Sequence, residues 1–223
     1  MNAIKCEICG SSELLKDNGV FVCQYCGTKY SLEEARKLLG TVKIDKSDDI
    51  ENLKTLASRN LQNGDYKQAS AYYEQVLREL PNDPEIVFYT AYTAAKASTD
   101  TETACANLVF AFKTTIELYA KENVHDLNEK IYPLVDYIIS YCDDEALRIT
   151  SSPNFNRYAA TDRFEAIGVV GFDVEKILLN YFPANSPCVS KIRMSIVAFL
   201  DTLGGYCYSK QLIKQEKKRL GKQ

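Results

Sequence analysis

The segments KCEICGS (residues 5–11) and VCQYCGT (residues 22–28) each contain two cysteines separated by two residues and followed by a glycine. A two-residue spacing lets one tight turn direct both sulfur atoms toward the same point, and four thiolates in a tetrahedron suit Zn²⁺. Thirteen residues separate the two pairs, which is enough for a β-hairpin that brings the turns together. The sequence therefore predicts a zinc ribbon at residues 1–30 with one bound Zn²⁺. The predicted ligands are Cys6, Cys9, Cys23 and Cys26.

The residues beside the cysteines favour the same element. Asp17-Asn18-Gly19 is a turn signal, and Val20-Phe21-Val22 after it is typical of a short strand. Gly10 and Gly27 each follow a pair, where a positive φ would turn backbone N–H groups toward the sulfurs. A ribbon of this size buries little apolar surface, so we expect its folding to depend on the metal. Four protein ligands leave no open coordination position, which predicts a structural site and not a catalytic one.

Two disulfides, a redox-active Cys-x-x-Cys and an iron site are the alternatives for these four cysteines. Disulfides are typical of secreted proteins, and a redox pair normally opens a helix in a larger α/β domain. The other cysteines are isolated in sequence, and free cysteine is commonly buried as a small hydrophobic residue. We therefore expect Cys105, Cys142, Cys188 and Cys207 to belong to the core.

Length and composition fit one mid-sized domain plus a small module, with 223 residues, 46% hydrophobic and 26% charged. The longest uncharged run, residues 177–190, contains two prolines and is too short to span a bilayer. The first residues lack the apolar core of a signal peptide. The expected location is therefore cytoplasmic, with no membrane partner.

The segment after the ribbon, residues 31–46, is predicted to contain a capped helix and a linker. Ser31-Leu32-Glu33-Glu34 is a capping box, and Gly40 is expected to end the helix that follows it. From Ser47 onward the hydrophobic periodicity indicates α-helix almost throughout. The predicted fold class is therefore mostly α: a small N-terminal β ribbon, followed by a helical domain at residues 47–223.

The start of this domain, residues 47–100, resembles a tetratricopeptide repeat. Asn63-Gly64-Asp65 matches the turn between its two helices, and Asp83-Pro84 is a start signal for the next helix. The positions characteristic of the repeat are occupied by Leu53, Leu56, Ala57, Ala69, Tyr73 and Pro81. A second repeat is only half visible. Because solenoids normally need about three units, we expect the later helices to form a cap or a packed body.

Further helices are expected near 101–121, 124–141, 143–149, 157–168, 172–181, 188–203 and 205–220. Gly168–Gly171 is interpreted as a break between two of them, and Asp143-Asp144-Glu145 as acids in the first turn of another. His125, the single histidine, is interpreted as a capping or surface residue. We find no catalytic constellation and no phosphate-binding loop, so the chain is not expected to be an enzyme or to have a small-molecule substrate.

The joint pattern resembles a family of bacterial proteins, frequent in Gram-positive species, in which a transcription factor IIB-type zinc ribbon precedes a tetratricopeptide-like helical region. The resemblance rests on residues 4–11, on residues 21–30 and on the helical hairpin near 47–83, and it covers roughly the first 100 residues. That family has no established activity. The resemblance therefore implies the architecture and the metal, but not a function.

Two functions remain as hypotheses. The first is a protein–protein adaptor whose helical hairpins bind an unidentified protein, with Tyr66, Tyr72 and Tyr89 as candidate groove residues. The second is binding to nucleic acid or to the transcription machinery through the ribbon and the C-terminal helix. Residues 210–222 contain six bases and one acid, but residues 1–40 contain five of each, and the whole chain carries a net charge of -3. A balanced ribbon is a poor footprint for a polyanion, so the adaptor is the preferred hypothesis.

Overall fold

The computed structural model describes residues 5–17, 19–31, 34, 47–122 and 126–221. The predicted helix end at Gly40, most of the linker segment and His125 lie outside these residues. The chain divides into two compact units, Met1–Asp48 and Asp49–Gln223. The first contains a small antiparallel sheet and the second is helical, so the predicted mostly α fold with an N-terminal β unit is confirmed.

The N-terminal unit contains three short strands in the order β1 (Leu14–Asp17), β2 (Val20–Cys23) and β3 (Lys29–Tyr30). Both neighbouring pairs are antiparallel, with Leu14 opposite Cys23 and Phe21 opposite Tyr30. This register places a cysteine at the end of β2 and directs Tyr30 to the buried side of the sheet. The sheet thereby positions the second cysteine pair.

The capping box predicted after the ribbon is present at its two described ends. The Ser31 amide donates to Glu34 Oε2 at 2.8 Å, and the Glu34 amide donates to Ser31 Oγ at 3.2 Å. These reciprocal bonds satisfy two backbone donors that a helix start otherwise leaves unpaired.

The second unit is built from helices joined by short connections. In the described residues they are α1 (Ser47–Gln62), α2 (Tyr66–Glu79), α3 (Pro84–Ala97), α4 (Thr101–Lys121), α5 (Leu127–Thr150), α6 (Thr161–Leu178), α7 (Pro187–Thr202), α8 (Gly204–Cys207) and α9 (Lys210–Leu220). Most begin at a side-chain cap. The Asp65 carboxylate accepts from the Gln68 amide, and the Asp83 carboxylate accepts from the Glu85 and Ile86 amides.

The helical hairpin predicted from the repeat pattern packs around a small cluster of buried residues. Ala57 of α1 meets Ala69, Tyr73 and Val76 of α2 in that cluster, with Leu53 partly buried against it. Leu56 also occupies a position characteristic of the repeat, but its side chain is exposed in the structure.

A larger core extends from α3 to α9. Its centre holds fully buried aromatic and aliphatic side chains, among them Phe88, Leu108, Phe112, Ile138 and Phe164. The isolated cysteines belong to it as expected: Cys105 and Cys188 are buried, and Cys142 and Cys207 pack against it half-buried.

Two predicted helix breaks are wrong. α5 continues from Leu127 to Thr150, so Asp143-Asp144-Glu145 lies in its interior and not in a first turn. α6 continues through Gly168 and Gly171. A Cβ placed on Gly168 would lie 2.7 Å from Phe199 Cε1, and one on Gly171 would lie 2.9 Å from Ile196 Cγ1. The glycines therefore allow α7 to pack closely on α6 and do not end the helix.

Candidate metal centre

The two Cys-x-x-Cys-Gly turns have the same backbone hydrogen bonds. The Cys6 amide donates to the Ser11 carbonyl, and the Gly10 amide donates to the Cys6 carbonyl, both at 2.8 Å. In the second turn the Cys23 amide donates to the Thr28 carbonyl, and the Gly27 amide donates to the Cys23 carbonyl, both at 2.9 Å. Gly10 and Gly27 have φ of 71° and 74°, which residues with a side chain rarely adopt. Each turn is therefore fixed by its own sequence.

The four sulfur atoms converge. Cys6 Sγ lies 3.6 Å from Cys26 Sγ, and Cys9 Sγ lies 3.5 Å from Cys23 Sγ. All four sulfurs lie within 4.8 Å of one another. A tetrahedral Zn²⁺ with bonds of about 2.3 Å requires sulfurs about 3.8 Å apart, and the Cys6–Cys26 and Cys9–Cys23 distances are close to that value. The four predicted ligands could therefore hold a metal ion, in a small β region consistent with a zinc ribbon.

Backbone amides of the two turns act on the pKa values of three of the sulfurs. The Ser11 amide lowers the pKa of Cys9, the Thr28 amide that of Cys26, and the Cys9 and Ile8 amides that of Cys6. The amides of Gly10 and Gly27, which were expected to face the sulfurs, donate instead to the carbonyls of Cys6 and Cys23. The residues after these glycines, Ser11 and Thr28, supply the amides that lower the pKa of the second cysteine of each pair. These dipoles favour the charged thiolates that a metal site needs.

Tyr30 is a residue of the site that sequence reasoning missed. Its hydroxyl lies 3.0 Å from Cys6 Sγ and accepts a hydrogen bond from the Glu7 amide at 3.1 Å. Its side chain is buried beside Cys6 and Cys23 in the small core of this unit. The signal in the sequence is weak: Lys29-Tyr30 alternates polar and aromatic after the second turn, as a half-buried strand does.

The pKa values of Cys6, Cys9 and Cys26 are each shifted by neighbouring groups. The hydrogen bond from Tyr30, helped by the Cys9 and Ile8 amides, lowers the pKa of Cys6 to about 6. A hydrogen bond from Thr28 lowers the pKa of Cys26. For Cys9 the Ser11 amide also lowers the pKa, but burial and the three neighbouring sulfurs outweigh it and raise the pKa to about 12. Four negative charges at these distances repel one another, and a divalent cation would remove that conflict.

The third residue of each turn is exposed and apolar. Ile8, between Glu7 and Cys9, is 73% exposed, and Tyr25, at the equivalent position before Cys26, is 81% exposed. We name Ile8 and Tyr25 together the knuckle surface. The sulfurs of the two turns lie close together, so both side chains belong to the part of the unit that contains the candidate metal site.

The three tyrosines predicted to line a partner groove are half-buried in the helical unit. The Tyr89 ring stacks on Tyr73 with centroids 5.6 Å apart, and the Tyr66 ring meets Tyr92 edge-on at 6.4 Å. Tyr72 packs against the cluster between α1 and α3. Their rings serve the packing of the hairpin, and a role in partner binding stays a prediction.

Some of the basic residues of α9 form ion pairs with acidic residues of the same unit. Arg219 donates to Glu175 Oε2 at 2.7 Å and to Glu216 Oε2 at 2.7 Å, and Lys217 pairs with Asp201. These contacts lower the charge that α9 presents to a polyanion.

Comparison of this chain with family models, with curated proteins and with solved structures gives no match. The resemblance to the zinc-ribbon family therefore rests on the residues quoted for it. Across the described ranges, no helix has both the length and the apolar character that crossing a bilayer requires.

Proposed function

We propose that Cys6, Cys9, Cys23 and Cys26 hold one structural Zn²⁺ and that the chain is a non-enzymatic, cytoplasmic adaptor for other proteins. Four thiolates are the soft, tetrahedral ligand set that Zn²⁺ prefers, and they leave it no open position for a substrate. The metal in this proposal orders the ribbon and takes no part in chemistry. We also propose that the chain shares its architecture with the bacterial zinc-ribbon family that it resembles.

The exposed knuckle surface is the observation that carries the adaptor function. Small metal-stabilised units contain few large apolar side chains and normally bury them, yet Ile8 and Tyr25 are exposed to solvent at equivalent positions of the two turns. Large exposed apolar residues that are held rigidly favour protein contact, and tyrosine is enriched in binding hot spots. Each lies next to a predicted ligand, so the metal would fix the spacing between them.

The nucleic-acid alternative has less support. The ribbon segment has equal numbers of acids and bases, and two of the C-terminal bases, Lys217 and Arg219, are paired with acids of the same unit. Counterion release needs several unpaired bases on one surface. Binding to nucleic acid is therefore treated as an alternative outcome of the partner experiment.

The metal is tested by native mass spectrometry and elemental analysis of the purified, reduced chain. We expect one zinc per chain in the wild type and none bound stoichiometrically in Cys23→Ser. Cys207→Ser is the matched control, since that thiol lies in the helical unit and its loss leaves the metal content unchanged. Iron in place of zinc, or a metal-free wild type, contradicts the proposal.

The adaptor function is tested with Ile8→Ser/Tyr25→Ser, which removes the knuckle surface and keeps all four cysteines. Leu15→Ser is the control, because Leu15 is also exposed and apolar but belongs to β1 and to neither Cys-x-x-Cys turn. We expect defined proteins to co-purify with the wild type and the control and to be lost from the double variant, with zinc content equal in all three. Salt-sensitive retention of random DNA or RNA, with no protein that depends on the knuckle surface, would favour the alternative.

A further inference from the structure

A groove of about 650 Å³ lies between α4 and α6 in the helical unit. Its floor contains Cys105 and Val170, both buried. Its walls carry Phe110 of α4 and Val169 of α6, which are 71% and 42% exposed. A phenyl ring and an isopropyl group on facing helices, both open to water, make the walls of this groove apolar.

The apolar surface continues beyond Phe110. A second depression of about 460 Å³ is formed by α2, α3 and α4, and Phe110 lines it as well. Its walls are mainly alanines and other uncharged residues, including Ala94 and Ala111. Phe110 therefore stands on the ridge between an uncharged depression and the α4–α6 groove.

The α4–α6 groove has an acidic rim. The carboxylates that line it belong to Glu102, Asp162, Glu165 and Asp173. Lys113 is the one base among the lining residues, and its ammonium lies 3.8 Å from Glu117 on the same helix. The ion pairs of the described chain include none of these four carboxylates. We name the groove and its four carboxylates the acidic groove.

The spacing of the acidic residues along α6 indicates how long a ligand the groove can hold. Asp162, Glu165, Val169 and Asp173 recur at intervals of three and four residues, so they lie along one stripe of α6. At about 1.5 Å per residue this stripe is about 17 Å long, which equals three turns of a helix of about 11 residues.

From these observations we propose that the acidic groove binds a basic amphipathic helix of a partner protein. Apolar side chains of that helix would pack on Phe110 and Val169, and its lysines or arginines would meet Glu165 and its acidic neighbours. The inference rests on the proposed adaptor function and names the chemistry of the partner. Nucleic acid is excluded from this groove by the negative rim, whose field repels phosphates.

The test uses a fluorescein-labelled peptide of three helical turns, with leucines on one face and lysines on its flanks. Its binding to the full, zinc-loaded chain is measured by anisotropy at an ionic strength of about 0.05 M, where surface charges act over about 14 Å. The same peptide with glutamates in place of lysines is the control ligand. We expect the lysine peptide to bind at least about tenfold more tightly than the glutamate peptide.

Variants assign that binding to the groove. Glu165→Lys is expected to weaken the lysine peptide by about fivefold, and Phe110→Ser by about tenfold. Glu74→Lys makes the same charge change at an exposed site on α2, and Met194→Ser removes an apolar side chain that is 73% exposed on α7. Both controls are expected to bind the peptide as the wild type does. All four positions are exposed, so circular dichroism of each variant should match the wild type.

Three results would overturn this inference: equal binding of the two peptides, groove variants that behave as their controls do, or direct binding of labelled duplex DNA to the chain that Phe110→Ser abolishes. Self-association of the chain that Phe110→Ser abolishes, seen by light scattering, would also overturn it, since a second copy would then be the occupant. The adaptor function is judged separately, because it depends on the knuckle surface. Partners that require Ile8 and Tyr25, found together with no peptide binding, would refute the acidic groove alone.

Discussion

Glu175 of α6 ties the last helix to the body, and its removal tests how that helix is held. Its side chain is 3% exposed and accepts from Arg193 Nε at 2.7 Å and from both terminal nitrogens of Arg219 at 3.1 and 2.7 Å. Arg219 belongs to α9, a short and strongly charged helix whose one buried side chain is Leu220. The attachment of α9 therefore depends on a few contacts.

The magnitude follows from what Glu175→Ala would leave behind. Arg193 is only 13% exposed, so its guanidinium would lose its counterion in a site that water reaches poorly. Breaking a buried pair in this way costs about 3–5 kcal/mol. Arg219 is 45% exposed and can be hydrated instead, and Arg219→Ala leaves Glu175 paired with Arg193. For that variant we expect a loss of about 1 kcal/mol.

Urea unfolding followed by circular dichroism measures both losses. With a slope of about 2 kcal/mol per molar urea, the midpoint should fall by about 2 M in Glu175→Ala and by about 0.5 M in Arg219→Ala. Glu216→Ala is the matched control, since Glu216 pairs with Arg219 and is farther from the core. If the midpoint of Glu175→Ala falls no further than that of Glu216→Ala, the buried carboxylate does not hold α9 and the reasoning is refuted.

Three further predictions concern pH, packing and the metal. Burial alone would raise the pKa of Glu175, but the hydrogen bonds from Arg219 and Arg193 outweigh it and lower the pKa. Its stabilising effect is thus complete above pH of about 4.3 and is lost as the pH falls through the lowered value, so wild type and Glu175→Gln should converge in urea midpoint on acidification. Gly171→Val should destabilise the chain by about 1–3 kcal/mol because the new Cβ would overlap Ile196, whereas Gly205→Ala, with no atom within 4 Å of its Cβ, should change the melting temperature little. A chelator should unfold the N-terminal unit and leave the thermal transition of the helical unit in place. Loss of both transitions together would contradict the metal dependence of one unit alone.

The ribbon was predictable from sequence because its constraints are local. Two residues between cysteines fix where their sulfurs point, and a following glycine supplies the positive φ that closes each turn. The same holds for helix starts, since Asp65 and Asp83 cap amides two or three residues away. Mostly α architecture followed from periodicity for the same reason.

Errors arose where one residue type serves two purposes. Glycine ends helices in solvent, but Gly168 and Gly171 lie inside α6 because α7 packs against them. Acids are typical of a first turn, but Glu145 lies in the interior of α5, where it is buried and accepts hydrogen bonds from Arg148, Arg163 and Thr101. Which purpose applies depends on a neighbour that local sequence does not specify.

The sequence alone thus determined the convergence of four cysteines, the caps and the helical character, because each is settled within a few residues. Tertiary structure alone decided that Tyr30 lies against Cys6 from 24 residues away and that Arg219 reaches Glu175 from 44 residues away. It also decided that four carboxylates of α4 and α6 border one apolar groove. Contacts at such separations arise from the packing of whole elements, which is governed by the summed burial of many side chains and not by any short motif.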